Sequence, residues 1–324
     1  MSPRRPRILS GVQPSGKLHL GNYFGAIRQH IALQDEGECF FFIADYHALT
    51  TIQDRRQIAE NVRSVALDYL ALGLDAERTA FFRQSDVMEV AELAWILSTV
   101  TGVGLLERAH SYKDKVARGI TPSAGLFFYP VLMAADILIY RSNLVPVGQD
   151  QVQHIEMTRD MAGSFNQVYG RIFPLPQARL DLAPTVPGTD GKKMSKSYGN
   201  TIEIFAEGKA LKSAVMRIVT DSTPVEAPKD PEKDNLFSLF SLFANEAEKK
   251  ALADRYRAGG LGYGEVKNML IAKIDSHFAP ARARRKDLER HPSAVETALR
   301  NGAERARAEA RETMRLVREA VGIR

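Results

Sequence analysis

Two stretches that lie far apart in the chain carry residues suited to binding phosphate. The first, residues 10–22, is rich in small residues and places His19 and Asn22 three residues apart at the start of a predicted helix. The backbone N–H groups and the dipole at a helix N-terminus favour a bound phosphate. The second, residues 191–197, has three lysines within five residues. Taken singly, the first stretch is also typical of a tight turn with a helix cap, and the second of a solvated basic loop.

A lone carboxylate, Asp136, lies in an apolar run that predicts a helix, residues 132–140. Burying a charge without a partner costs several kcal/mol, so a buried Asp136 requires a hydrogen-bond donor. That donor is either a group of the protein itself, for instance a neighbouring backbone N–H, or a group of a bound ligand. The sequence therefore indicates a ligand-binding carboxylate, with a purely structural one as the alternative.

The elements that must position these residues alternate between strand and helix. Continuous apolar runs such as residues 39–44 are typical of strands covered on both faces. The alternation predicts an α/β fold with a parallel sheet between two layers of helices, and such sheets bind ligands at the carboxyl ends of their strands. The predicted strands are residues 7–9, 39–44, 79–83 and 144–147, and the predicted helices are residues 23–33, 54–72, 90–100, 125–140 and 149–169.

The later part of the chain loses the strand pattern. Four prolines between residues 174 and 187, followed by Gly188 and Gly191, predict a linker and loop. The glycine-rich run 259–264 has neither a preceding strand nor the spacing of a dinucleotide loop, so it predicts a turn between helices. A smaller helical domain is expected, with helices at residues 209–220, 236–243, 247–256, 263–290 and 292–321.

Composition narrows the class of protein. The 324 residues suit about two domains, and a net charge of +5 is compatible with a polyanionic partner without requiring one. The single cysteine, Cys39, excludes a disulfide framework within the chain and predicts neither an iron–sulfur cluster nor a structural zinc. No apolar run is long enough for a transmembrane helix or a signal peptide, which predicts a cytoplasmic protein without a membrane partner.

Residues 19–22 (His-Leu-Gly-Asn) and residues 193–197 (Lys-Met-Ser-Lys-Ser) together resemble the two signatures of class I aminoacyl-tRNA synthetases, in type, order and separation. Residues 129–138 resemble the amino-acid pocket of the tryptophanyl branch, and residues 145–156 resemble the strand and helix that follow it there. The tyrosyl branch shares the Gly-x-Asp-Gln element, whereas the apolar helix with Met-Ala-Ala-Asp is more particular to the tryptophanyl branch.

The resemblance implies a Rossmann-like doubly wound parallel sheet with a smaller all-helical domain. It implies that residues 1–200 form the catalytic domain with the ATP and tryptophan sites. Residues 201–300 would form a helical domain that binds the tRNA anticodon, and residues 301–324 a C-terminal helix that packs back on the catalytic domain.

The implied reaction is that of a tryptophan–tRNA ligase. It activates L-tryptophan with ATP to tryptophanyl-adenylate and pyrophosphate, then transfers tryptophan to the 3′ end of tRNA(Trp). ATP is then a substrate, and its phosphates hold Mg²⁺ without a protein metal site. The expected partners are tRNA(Trp), L-tryptophan and a second copy of the chain in a homodimer.

The resemblance also assigns roles to individual residues. Those assigned to catalysis are Lys193, Lys196, Ser195, His19 and Asn22. Those assigned to ATP are Gln13, Pro14, Ser15, Gly21, Asn22, Gly148, Gln149, Asp150, Val186, Lys193, Met194, Ser195, Lys196, Ser197, Lys113 and Lys115. Those assigned to tryptophan are Asp136, Tyr129, Met133, Gln151, His47, Leu9, Phe42, Val145 and Val147, with Asp136 accepting the indole N–H.

Other functions stay open at this point. The nearest is a tyrosyl enzyme; the others are a synthetase-like regulator that binds tRNA or tryptophan, and a nucleotidyltransferase that makes a small adenylylated cofactor. An intact run at 193–197 speaks against a pure binder, and the appended helical domain against the nucleotidyltransferase. The basic residues Arg282, Arg284, Arg285 and Lys286 either meet the anticodon or form a solvated helix face.

Overall fold

The computed structural model of the protein describes residues 5–109, 112, 123–180 and 185–323. By compactness the chain divides into two units. The sheet unit comprises Met1–Gly16, His30–Asp181 and His291–Arg324, and the helical unit comprises Lys17–Gln29 and Leu182–Arg290. This division differs from the expected boundary at residue 200, because residues 17–29 and 185–200 pack with the helical part of the chain.

The sheet unit contains a five-stranded parallel sheet. Its strands are β1 (Arg7–Val12), β2 (Glu38–Ile43), β3 (Ala80–Arg83), β4 (Leu144–Val147) and β5 (Gln177–Leu180). They lie in the order β3-β2-β1-β4-β5. The chain adds strands on one side of β1 and then on the other, which is the doubly wound, Rossmann-like topology that the sequence predicts.

Burial explains which strands the sequence revealed. The side chains from Cys39 to Ile43 are each at most 6% exposed, since helices cover both faces of β2. The prediction of a linker across residues 174–191 is wrong at one place, because residues 177–180 form β5 and pair with β4. As the edge strand, β5 has partly exposed side chains and lacks the continuous apolar run of a central strand.

Some of the helices pack around this sheet, and the others form the helical unit. The helix Ala124–Ile139 (α7) begins where Ser123 Oγ accepts a hydrogen bond from the Leu126 N–H (3.2 Å). In chain order within the described residues they are α1 (Leu20–Asn22), α2 (Arg28–Leu33), α3 (Asp45–Ala48), α4 (Arg55–Leu72), α5 (Glu89–Ser98), α6 (Val103–Glu107), α7 (Ala124–Ile139), α8 (Val152–Tyr169), α9 (Gly208–Met216), α10 (Asn235–Ser241), α11 (Glu246–Ala258), α12 (Tyr263–Arg290) and α13 (Pro292–Val321).

The last helix, α13, belongs to the sheet unit and lies against β3. A Cβ atom at Gly302 would sit 2.0 Å from the Phe81 carbonyl oxygen, so only glycine permits this approach of helix to strand. Ala303, Ala306 and Ala310 are buried alongside it. These three alanines therefore lie on the packing face of this arginine-rich helix.

An aromatic cluster in the helical unit holds the chain that follows residues 19–22. Tyr23 and Phe24 begin a π-helical segment, Tyr23–Ile27, between α1 and α2. The Tyr23 ring lies 4.9 Å from that of Phe278 on α12, and its hydroxyl is 3.0 Å from His277 Nε2. Edge-on aromatic contacts of this kind stabilise beyond the area they bury, so they fix the start of the first helix.

Ion pairs hold part of the predicted basic cluster on α12. Arg282 is 6% exposed and donates to the carboxylate of Asp275. Lys286 donates to Glu207 (2.7 Å), and the Arg285 guanidinium pairs with Glu289. Arg282 is therefore buried against a carboxylate, and the choice between an anticodon contact and a solvated helix face stays a prediction.

A buried histidine in the sheet unit should make stability depend on pH. His30 lies between Ser10 Oγ (2.9 Å) and Tyr69 Oη (3.2 Å), and burial lowers its pKa to about 4. In the unfolded chain the ring takes up a proton near pH 6.5, so the unfolded state binds more protons between those two values. We expect the free energy of unfolding to fall as the pH drops from about 6.5 to about 4, with His30 contributing about 2 kcal/mol of that loss by pH 5.

Urea unfolding at pH 7.0 and pH 5.0 measures this contribution. His30→Gln, which keeps hydrogen-bonding groups but cannot titrate, should be less stable than the wild type at pH 7 and lose less on acidification. His291→Gln, at an exposed histidine, is the matched control and should retain the wild-type pH dependence. An unchanged pH dependence in His30→Gln would contradict the prediction.

Candidate active site

Three polar side chains meet at the carboxyl edge of the sheet. The carboxylate of Asp136 is 2% exposed and accepts hydrogen bonds at both oxygens from Gln84 Nε2, each 2.9 Å long. Its Oδ2 is also 3.0 Å from His47 Nε2. Since a carboxylate oxygen only accepts, the Nε2 of His47 carries the proton.

The topology explains this meeting. His47 lies on α3, directly after β2, and Gln84 is the first residue after β3. Parallel strands end at the same edge of the sheet, so both side chains reach the same place. Asp136 comes from α7, which packs against α5 and α8 beside the sheet.

The electrostatics of Asp136 reflect two opposing effects. Burial raises the pKa of its carboxyl group, and the hydrogen bonds from His47 and Gln84 oppose that rise. The donor that the sequence required is thus supplied by side chains rather than by a neighbouring backbone N–H. A carboxylate offers about four lone-pair sites, and three hydrogen bonds from described residues occupy that of Asp136. Within the described part of the chain, about one acceptor site is therefore left for a ligand.

A second polar chain lies in the same unit. The hydroxyl of Tyr129 contacts His154 Nε2, and His154 Nδ1 is 2.9 Å from Gln151 Oε1. Because the amide oxygen of Gln151 only accepts, Nδ1 of His154 donates to it, and in the neutral ring Nε2 accepts the Tyr129 proton. His154 is 4% exposed and joins two residues that the sequence assigns to tryptophan.

The apolar residues assigned to tryptophan belong to one buried cluster of the sheet unit. Met133 is partly buried against that cluster, and Gln13, directly after β1, extends its Nε2 to within 3.5 Å of the His47 carbonyl oxygen. The fully buried members are Leu9, Phe42, Val145 and Val147. These four side chains are equally part of the core.

The phosphate-binding candidates gather in the helical unit. His19 caps α1 in an extended conformation, and Asn22 Oδ1 accepts a hydrogen bond from the His19 N–H (3.1 Å). The backbone of residues 202–204 pairs with this segment: the Leu20 N–H donates to the Ile202 carbonyl (3.0 Å) and the Ile204 N–H to the Leu18 carbonyl (3.2 Å). Residues only a few positions beyond 193–197 therefore form a bridge with residues 18–20.

The first signature also touches the second directly. A Cβ atom at Gly21 would lie 3.0 Å from the imidazole of His19 and 3.4 Å from the Cβ of Met194. Gly21 thus leaves room for both. Met194 is 4% exposed and anchors the loop, whereas Lys193 and Lys196 are exposed.

His19 is a neutral group at pH 7. Burial, assisted by the charge of Lys196, lowers its pKa to about 4. The ring is 6% exposed, and its Nδ1 has no hydrogen-bond partner among the described residues. His19 can therefore serve as a neutral hydrogen-bonding group but not as a permanent cation.

Asn200 holds the lysine loop in shape. Its Oδ1 accepts the Ser195 N–H (2.8 Å), and its Nδ2 donates to Asp190 Oδ1 (2.6 Å) and to the Lys193 carbonyl (3.2 Å). The Ser195 and Ser197 hydroxyls are 2.9 Å apart. Asn200 is 2% exposed, so this framework is buried while the lysine side chains remain outside.

The remaining predicted residues fall into three groups. Val186 is 4% exposed in the helical unit, and its carbonyl accepts the Met194 N–H (2.9 Å). Gly148 and Gln149 follow β4 in the sheet unit, and Pro14 and Ser15 follow β1. Lys113, Lys115 and the side chain of Asp150 lie outside the described part of the structure.

Sequence reasoning missed three residues of these sites: Gln84, His154 and Asn200. The best signal was for Gln84, a polar residue immediately after the predicted strand 79–83, where parallel strands place their ligand-binding groups. His154 lies in residues 145–156, which resemble the tryptophanyl branch, but the resemblance assigned it no role. No sequence pattern indicated Asn200, because its three side-chain hydrogen bonds form only in the folded loop.

The described residues also bear on cofactors and membranes. In that part of the chain no group of three or more His, Cys, Asp or Glu side chains is placed to hold a metal ion. No helix within the described ranges is both long and apolar enough to cross a bilayer.

Comparison with known proteins places this geometry in context. The pattern of the family described as tRNA synthetases class I (W and Y) matches residues 1–279. The chain is similar to the tryptophan–tRNA ligase of Rhodopirellula baltica, with 55% identity over 319 residues, 98% of this chain and 100% of that protein. It is similar to the same enzyme of Fusobacterium nucleatum, with 52% identity and 98% of both chains covered.

Among solved structures, the chain is similar to the tryptophanyl-tRNA synthetase of Campylobacter jejuni complexed with ADP and tryptophan. The TM-score is 0.93 at 50% identity, and the match covers 98% of this chain and 100% of that one.

Proposed function

This chain belongs to the class I tRNA synthetases of the tryptophan and tyrosine family, and from that premise we propose that it acts as a tryptophan–tRNA ligase. It activates L-tryptophan with ATP to tryptophanyl-adenylate and pyrophosphate, then transfers tryptophan to the 3′ end of tRNA(Trp). The observation that carries the choice of amino acid is the buried carboxylate of Asp136, which keeps an acceptor site open.

In this proposal Asp136 accepts the indole N–H, the one donor of a tryptophan side chain. The buried indole gains about 4–6 kcal/mol, from roughly 150–250 Å² at about 25 cal/mol per Å². A site built around one hydrogen bond rejects side chains that lack its partner, because the polar group is then left unpaired, by factors of about 10⁴ or more. Met133 and the buried apolar side chains beside it supply the walls.

The polar chain of Tyr129, His154 and Gln151 is suited to the ammonium group of the amino acid. Tyr129 donates its proton to His154, so its oxygen is the atom that can act as acceptor toward an ammonium. Gln13, directly after β1, joins Tyr129 and Gln151 in holding the ammonium and carboxylate groups of the substrate in this proposal. This arrangement orients the carboxylate for attack rather than activating it chemically.

The proposed ATP contacts come from the start of α1 and from the lysine loop. His19, as a neutral donor, and Asn22 contact the nucleotide, while Lys193, Ser195 and Lys196 bind the β and γ phosphates. ATP enters as its Mg²⁺ complex, with the ion held by phosphate oxygens and water. The other residues assigned to ATP are Gln13, Pro14, Ser15, Gly21, Gly148, Gln149, Asp150, Val186, Met194, Ser197, Lys113 and Lys115.

The first step is in-line attack of the tryptophan carboxylate on the α-phosphorus, with pyrophosphate leaving. No protein nucleophile takes part, so rate acceleration comes from positioning and from cations that stabilise charge on the departing phosphates. In the second step the 3′-terminal ribose hydroxyl of tRNA attacks the acyl carbon, and AMP leaves.

Amino-acid-dependent exchange of labelled pyrophosphate into ATP tests the proposal. Exchange should depend on tryptophan and stay near background with tyrosine. Exchange with tyrosine instead would favour the tyrosyl alternative. Binding of tryptophan or tRNA without any exchange would favour a regulator and overturn the proposed activity.

We further infer a homodimer that acts in the cytoplasm and binds the tRNA anticodon through residues 201–300. The homodimer is inferred from the family to which the chain belongs. Sedimentation equilibrium should give twice the 36.0 kDa mass of the chain. A concentration-independent monomer would contradict the homodimer.

A further inference from the structure

Gln84 contacts the tryptophan-selecting carboxylate more extensively than any other described side chain. Its amide Nε2 lies 2.9 Å from both oxygens of Asp136. The side chain is 1% exposed, so water cannot replace these hydrogen bonds. Burying the Asp136 charge would be costly without them.

The orientation of the Gln84 amide follows from its other neighbour. Its Oε1 accepts the backbone N–H of Tyr46 at 3.1 Å. Turning the amide over would face its N–H₂ group toward that N–H and its oxygen toward the Asp136 carboxylate, and both contacts would be repulsive. Tyr46 therefore forces Gln84 to act as a donor to Asp136.

The same turn has a second brace. Asp45 Oδ1 accepts the backbone N–H groups of Tyr46 and Ser85, each at 3.0 Å, and its Oδ2 accepts from the Ser85 hydroxyl. The segments after β2 and β3 are thus tied together on either side of Gln84. The amide is held in place before any substrate arrives.

We propose that Gln84 is a positioning residue that keeps Asp136 ionised, and so available to accept the indole N–H, across the neutral pH range. The inference rests on the proposed function, because it deepens the role of the tryptophan site. A protonated Asp136 would carry one donor and offer fewer acceptor sites to the indole. Gln84 therefore determines specificity through the charge state of its neighbour.

The groups that act on Asp136 are known from the elements packed around it. His47, from α3, donates to it, and Asp45 adds a repulsive charge. Tyr140, at the end of α7, feels the charges of Asp136 and of Glu89 on α5. These groups are common to the wild type and to any Gln84 variant, so a difference between the two reports Gln84 itself.

The experiment measures the tryptophan dissociation constant by calorimetry from pH 5.5 to pH 8.5. Gln84→Leu removes both hydrogen bonds at similar volume. We expect about tenfold or weaker binding at pH 7, and we expect the pH below which affinity falls to rise by about one unit or more. Gln34→Leu is the matched control, at a second buried glutamine of the sheet unit that bonds to Ile31, Asp75 and Thr79 rather than to Asp136, and its pH profile should match the wild type.

Gln84→Glu separates electrostatics from packing. Glutamate fits the space of glutamine but opposes a second carboxylate to Asp136, so the pair must share a proton. If Gln84 acts through the charge of Asp136, the affinity of this variant for tryptophan falls at a different pH from that of Gln84→Leu, because the shared proton titrates with the pair. If Gln84 merely fills space, the pH profiles of both variants coincide with that of the wild type, and the proposal is overturned.

A double-mutant cycle closes the test. In the Asp136→Asn background, the further change Gln84→Leu should alter tryptophan affinity by less than about twofold, because the charge through which Gln84 acts is gone. An undiminished effect in that background overturns the proposal. Circular dichroism of each variant checks that it is folded. Failure of the proposed function looks different, since the wild type itself would then show no tryptophan-dependent exchange of pyrophosphate into ATP.

Discussion

Replacing Asp136 by alanine should weaken tryptophan binding by about 3 kcal/mol or more, a factor above a hundred. The change removes the acceptor for the indole N–H. It also leaves the buried donor of Gln84 and the partly buried donor of His47 without their carboxylate partner, and water has little access to Gln84. Equilibrium dialysis with labelled tryptophan measures the effect, and circular dichroism checks the fold.

The matched control for Asp136→Ala is Asp68→Asn, at a second buried carboxylate of the sheet unit that is also 2% exposed. It should leave tryptophan affinity unchanged. If Asp136→Ala bound tryptophan as tightly as the wild type, the carboxylate would be structural only. The internal hydrogen bonds of Asp136 would then be its whole role.

Replacing Lys196 by alanine should lower the rate of tryptophan activation by about 10²- to 10³-fold while leaving tryptophan affinity unchanged. The lysine is proposed to stabilise charge that develops on the departing pyrophosphate, and the loss of one such fixed group costs about 3–4 kcal/mol in the transition state. Its charge is also close enough to depress the pKa of His19. The pKa of that imidazole should therefore rise in the variant.

Single-turnover formation of tryptophanyl-adenylate measures the chemical step, and dialysis measures binding separately. Lys192→Ala serves as the control, because this neighbouring lysine is exposed on the same loop and has no proposed contact with phosphate. It should retain near wild-type rates. Equal losses in the two lysine variants would mean that the loop contributes only a diffuse positive charge.

Much of the fold followed from local pattern. The strand at residues 38–43 and the helices at residues 263–290 and 292–321 are long or strongly apolar enough to be predicted within a residue or two. The edge strand at residues 177–180 could not be predicted, because its side chains are half-exposed and prolines precede it. Its strand conformation depends on pairing with β4, a contact between residues more than thirty positions apart.

Much of the chemistry of the protein could be predicted from its sequence. The two signature runs, the lone carboxylate at position 136 and the runs around positions 130 and 150 indicate the family and its substrates, because each packs several chemically constrained residues into adjacent positions. Charge, hydrogen-bonding capacity and helix start are properties of the local sequence.

Only the tertiary structure decided which partners complete those groups. Gln84 reaches Asp136 because two parallel strands end side by side, and His154 links Tyr129 to Gln151 because two helices pack together. The depressed pKa of His19 and the three hydrogen bonds of Asn200 likewise arise from burial. Burial and long-range contact change the energy of a polar group by several kcal/mol. The neighbouring residues in the sequence determine neither of them.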